Sequence, residues 1–181
     1  DAGIETFRDA PYASLARECG QNSGDANDQS GSAVELYFDL REVDANEIPG
    51  IDSLRSAIDQ CHDKVTEGAN EKEIDFFANA KSSISRSKIS VLTVSDHHTR
   101  GLRGPCTPGT PFHSLIKASG VSADKEAHSG GSFGIGKNAV FAASDFQTAF
   151  YSTKYVDETT GQDVFLAQGK TILVSHEDSN G

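Results

Sequence analysis

The stretch GGSFGIGK, residues 130–137, limits the fold of this chain more than any other segment. Four glycines surround Phe133 and Ile135 immediately before an apolar helical pattern. Glycine reaches positive φ and lets backbone approach other groups closely, so such a run marks a loop folded against something. Gly131, Gly136 and Lys137 also fit G-x-x-x-x-G-K, the front of a P-loop. A P-loop needs a buried strand directly before it and Ser or Thr directly after the lysine. Here the polar VSADKEAHS precedes the glycines and Asn138 follows the lysine. No second carboxylate motif closes a suitable apolar strand. The loop belongs to another architecture.

The elements around it predict that architecture. Asp9 caps a helix with Pro11 in its first turn. That helix carries Leu15, Ala16 and Cys19 inward and runs to about Asp25. In AVELYFDLREV, Val34, Leu36, Phe38 and Leu40 alternate with polar residues, which predicts a half-buried strand. Ile51, Leu54, Ile58, Cys61 and Val65 recur at helical spacing. Asn70 and Glu73 form a capping box for a second helix carrying Ile74, Phe77 and Ile84. KISVLTVSD predicts a buried strand ending at Asp96. Residues 97–130 form a long Gly-, Pro-, Ser- and His-rich segment with one short helix around Phe112–Ala118. A segment of this length suggests a lid, taken as about 97–136. A helix over 137–146 and two strands, TAFYSTKYV and DVFLAQGKTILVSH, follow. Strict βαβ alternation is absent, so the expectation is an α+β, two-layer α/β sandwich. Its mixed or antiparallel sheet would be covered on one face by helices.

The chain has 181 residues, enough for one domain with a sizeable core. Sixteen Lys and Arg against 27 Asp and Glu leave a net charge of −11, which disfavours broad nucleic-acid binding by this segment. No apolar run reaches membrane-spanning length. Cys19, Cys61 and Cys106 read as reduced thiols of a cytoplasmic protein. A start at Asp1 and the lack of methionine suggest an excised domain of a longer protein.

Three segments carry candidate chemistry. In LARECGQNSGDA, Glu18, Asn22 and Asp25 recur at i, i+4 and i+7, so one helix face presents two carboxylates and an amide. The bland reading of that face is solvation. VLTVSDHHTRGLRG delivers Asp96 at a strand end, followed by Gly101 and Gly104. The third segment is the glycine run before residue 138. His97, His98, Cys106, His113 and His128 gather in the lid segment, but their spacing fits no zinc pattern. No G-x-S-x-G elbow is present. Phe141, Phe146, Phe150 and Tyr151 read as packing residues.

In this order the three segments resemble the GHKL ATPase superfamily of gyrase B, heat-shock chaperones, histidine kinases and MutL. GSFGIGKNAVF is similar to the last glycine box of ninety-kilodalton chaperones and of MORC-type ATPases. SDHHTRGLRG followed by the 130–153 segment resembles bacterial relatives associated with restriction and anti-phage defence. The resemblance implies a Bergerat-type fold that binds ATP with Mg²⁺ and hydrolyses it. Glu18 would be the general base and Asn22 the magnesium ligand, with Asp25 supporting the site. Asp96 would accept the adenine amino group, as a buried acceptor that rejects guanine. Gly101 and Leu102 match the end of the first glycine box. Gly131, Ser132, Phe133, Gly134, Ile135, Gly136 and Lys137 match the phosphate-side hinge, and Thr171 a late-strand threonine near adenine. Lys137 has two readings, a phosphate contact or a solvated lysine. The first box departs from D-x-G-x-G: His98 takes the place of its first glycine, and the next glycine comes one residue late. The resemblance further implies a homodimer on nucleotide binding, a lysine from a following domain, and DNA or protein partners through other domains. A protein histidine kinase domain and a non-hydrolysing nucleotide-sensing module are the alternatives.

Overall fold

The computed structural model describes residues 2–68, 71–117 and 136–174. The class is α+β. In chain order the elements are α1 (Ala2–Glu5), α2 (Pro11–Asp25), β1 (Glu35–Asp44), α3 (Ile51–Thr66), α4 (Glu71–Ile84) and β2 (Lys88–His97). They continue with α5 (Pro111–Ile116), α6 (Ala139–Ala142), β3 (Thr148–Val156) and β4 (Asp163–Thr171). Among the described residues the strands pair as two two-stranded antiparallel sheets, β1 with β2 and β3 with β4.

The chain, read from its sequence as one domain, divides into two compact units. The first holds residues 1–37, 95–144 and 148–170; the second holds 38–94, 145–147 and 171–181. The division falls inside both β1 and β2, where a continuous strand pattern gives no sign of it.

The second unit has the more regular core. Ile51, Ile58, Cys61 and Val65 of α3 meet Phe77, Ala80 and Ile84 of α4, with Ala45 and Ile89 closing the cluster. Ile58 and Cys61 are completely buried. The helical spacing of these residues turns one face inward on each helix, so the pair forms an antiparallel hairpin. Lys81 pairs with Asp59 at 2.9 Å across it, and the Arg55 side chain donates to the Ile84 carbonyl at 3.3 Å, at the end of α4. The capping residue expected at Asn70 lies outside the described residues.

In the first unit α6 packs on α1, α2 and β3, and the 3₁₀ turn Gly136–Asn138 packs on α2. Phe141 of α6 is 2% exposed and Ala139 is fully buried. Burying one such phenylalanine stabilises the fold by about 2–3 kcal/mol. The helix expected over 137–146 is shorter. It starts as a 3₁₀ turn and stops at Ala142, because Ser144 turns the chain and accepts from the Thr148 amide. Helix α1 has no counterpart in the sequence reading; its Ile4 is buried, as is Phe7 just after it.

Four local expectations need correction. The N-cap of α2 is Ala10, not Asp9, and no side chain caps it; Pro11 at the first position sets the start. Ala16 is exposed, because the inward stripe of α2 runs through Leu15, Cys19 and Ser23 at a spacing of four. Phe38 and Leu40 of β1 are 47% and 69% exposed. The half-buried positions run through Val34 and Leu36, then shift to Asp39 and Val43 where the strand passes from one unit to the other. β2, expected to be buried, is buried only at Ile89; among the described residues it pairs with β1 alone.

Candidate functional site

The first unit brings the C-terminal half of α2, the exit of β2 and the 3₁₀ turn at Gly136 together. Helix α2 gives the site its frame. Ser14, Leu15 and Ser23 are buried, Glu18 and Cys19 half-buried, Asn22 and Asp25 exposed. Glu18, Asn22 and Asp25 thus follow one helix face, with Glu18 at its inner end.

Asp96 lies at the end of β2. The Ser23 hydroxyl donates to its carboxylate at 2.8 Å and the Thr99 hydroxyl at 3.3 Å. Asp96 is exposed rather than buried, since the last residues of β2 extend as one strand of a two-stranded pair. Rejection of guanine by a buried acceptor therefore has no support from its burial. Two donors leave room on a carboxylate for a third.

The segment after β2 is fastened to the end of α2. The Asp28 amide donates to the His98 carbonyl, the Arg100 amide to the Ala26 carbonyl, and Asn27 and Thr99 form an antiparallel bridge. The Arg100 guanidinium donates to the Asp25 carbonyl at 2.9 Å. His98 adopts φ +58 and Gly101 φ +65. Histidine thus takes the left-handed backbone at the position where the resembled motif has glycine. A Cβ on Gly101 would run into the Lys154 carbonyl and the Thr153 hydroxyl, so the position also needs glycine for space. The neighbouring Leu102 amide donates to the Thr153 hydroxyl at 2.8 Å, fixing this turn against β3.

The third part is Gly136. A Cβ built there would overlap the Glu18 carboxylate. The acid of α2 and the last glycine of the GGSFGIGK run are in direct contact. Lys137 follows in the 3₁₀ turn. Gly131, Ser132, Phe133, Gly134 and Ile135, with the rest of 118–135 in the lid expected at 97–136, lie outside the described residues. Thr171 is exposed at the end of β4 and belongs to the other unit.

The electrostatics follow from this crowding. Burial, then the charges of Asp96 and Glu18, push the Cys19 thiol above its ordinary value of 9.0. Burial, then Cys19, raises the Tyr151 phenol as well. Both groups stay neutral at physiological pH and act as packing, not as nucleophiles. Sequence reasoning missed Ser23 and Thr99, which hold Asp96. The signal for Ser23 was its place on the inward stripe with Leu15 and Cys19. Nothing local marked Thr99 or Thr153.

Among the described residues no group of three or more His, Cys, Asp and Glu side chains could hold a metal ion. No helix there is long and apolar enough to cross a membrane. Cys19, Cys61 and Cys106 are free thiols. Comparison with protein-family models, with curated proteins and with solved structures gave no match to this chain.

Proposed function

We propose that this chain is an ATP-binding domain that hydrolyses ATP with magnesium, in the manner the GHKL resemblance implies. The observation that carries the reading is the contact of the Glu18 carboxylate with Gly136. Two motifs more than one hundred residues apart, each matched to the phosphate end of a nucleotide site, meet there. Asp96, tied to α2 through Ser23, supports a nucleobase end on the same helix.

In this reading Glu18 accepts a proton from water as the water oxygen attacks the γ-phosphorus. The bond to the bridging oxygen breaks, and its electron pair leaves with ADP. Asn22 stands one turn from Glu18 and offers an exposed amide oxygen, which suits magnesium held largely by phosphates and water. Magnesium would supply charge neutralisation on the phosphates. The remaining task of the protein is positioning, for which Ser23 and Thr99 fix Asp96 and Gly136 leaves room for Glu18.

Calorimetric titration with ATP and magnesium, together with phosphate release, tests this. Glu18→Gln retains ATP binding and loses about 100-fold or more in turnover. Asn22→Ala weakens magnesium-dependent ATP binding about tenfold. Full turnover in Glu18→Gln would remove Glu18 from the base role. Binding without turnover in the wild type would make the chain a non-hydrolysing nucleotide module. Transfer of label from ATP to a histidine would revive the kinase alternative.

A further inference from the structure

Gly101 and Leu102 match the end of the first glycine box, yet the space that Gly101 frees is taken by β3. At φ +65 its missing side chain faces the Lys154 carbonyl and the Thr153 hydroxyl, and a Cβ would run into both. This close approach lets the Leu102 amide donate to the Thr153 hydroxyl at 2.8 Å. Thr153 is one of the few buried polar residues, at 9% exposed. Gly104 repeats the device: a Cβ there would overlap the Leu166 side chain of β4. Arg103, between the two, pairs with Glu158 just beyond β3. The start of the same segment is held by α2. Ser23 bonds Asp96, and the amides of Asp28 and Arg100 bond the carbonyls of His98 and Ala26. The span from Asp96 to Leu102 is therefore clamped twice, on α2 at its start and on β3 at its end. Thr99, whose hydroxyl donates to Asp96, stands midway along it.

We infer that Thr153 is a positioning residue for the nucleobase end of the site: through the Leu102 amide it sets the course of the span that presents Asp96. That Asp96 meets a base rests on the function proposed above; the clamp on Leu102 does not. An amide that loses its acceptor inside the fold has to turn to find water, and the span turns with it. Thr99 then draws away from Asp96, which loses one of the two donors that fix its heading. Glu18 and Gly136 meet without this span, so the effect falls on the base end and spares the phosphate end. The chemistry of the side chain separates this role from packing. Valine has nearly the shape of threonine but no acceptor, whereas serine keeps the acceptor and leaves a small void. A threonine buried only for packing tolerates valine better than serine; one that holds the Leu102 amide shows the reverse order.

The test is calorimetric titration of the wild type, Thr153→Val and Thr153→Ser with adenosine, ATP and pyrophosphate, alongside steady-state phosphate release. Thr153→Val weakens adenosine and ATP about tenfold and leaves pyrophosphate within about twofold; Thr153→Ser restores most of the loss. In turnover the valine variant raises KM and keeps kcat, since the lost interaction concerns binding of the base. Unchanged adenosine affinity in Thr153→Val overturns the positioning role while ATP binding by the wild type stands. So does an equal loss for adenosine and pyrophosphate, or a serine variant weaker than the valine one. Thr153-dependent adenosine binding without hydrolysis sustains the role and removes the ATPase reading. Wild type that binds neither adenosine nor ATP overturns both. A second measurement needs no variant to fold: hydrogen exchange of the Leu102 amide in the wild type. If the bond favours adenosine about tenfold, adenosine slows that exchange by the same factor; an unchanged rate overturns the role.

Discussion

At position 136 a Cβ would overlap the Glu18 carboxylate, so any larger residue forces that side chain to move. Its neighbour Cys19 gives a measurable consequence of the same crowding. Burial and two nearby carboxylates raise the thiol above 9.0, so above that pH the folded chain keeps a proton that the unfolded chain has released. Stability conferred by the group is complete below the ordinary thiol value and falls as pH rises through the folded value. Cys19→Ala removes this term. The stability advantage of the wild type over the variant, read from urea midpoints, therefore shrinks as pH rises beyond the ordinary thiol range, upward of about pH 8. A constant difference would mean that the thiol sits in a solvent-like setting. Much of the site was legible at this scale: Glu18, Asn22, Asp96 and Gly136 stand in one-dimensional patterns. Ser23 was not, because it gains its role from a contact with a segment 73 positions away; Thr99 stands three positions from Asp96, but nothing in its type marks it. His98 was visible as a departure from glycine, but only the backbone shows that it holds φ +58, at a cost of about 1–2 kcal/mol.

Helix α2 carries Glu18 and yet includes several weak helix formers in its second half. It lacks a side-chain N-cap and contains Gly20 and Gly24. A Cβ at either glycine meets nothing within 4 Å, so their cost is the entropy of an unrestricted backbone. Gly20→Ala adds about 1 kcal/mol, seen as a higher urea midpoint with an unchanged slope. A lower midpoint would mean that α2 needs the backbone freedom of glycine at position 20. Helices α3 and α4 were legible as elements, since their buried residues repeat with the helix period. β1 was legible as a strand but not in its facing, because its half-buried positions change parity near Tyr37. α1 was missed because four residues carry too little period to read.

At the scale of the whole molecule, the division into two compact units was illegible where it cuts β1 and β2, because both are unbroken strand patterns there. The charge, by contrast, is fully legible. A net −11 makes the folded chain repel itself. Raising NaCl from about 0.01 M to about 0.1 M shortens the screening length from about 30 Å to about 10 Å, and the thermal midpoint rises. A flat salt response would mean that the acidic groups are already offset locally. The bonds joining Asp25, Ala26 and Asp28 to His98 and Arg100, with Ser23 gripping Asp96, have a mechanical meaning. A helix held only by apolar packing can roll about its long axis at little cost. This one is keyed to the strand tip at its far end, so rolling is blocked, and the heading of the carboxylate two turns back is set by a loop it never touches.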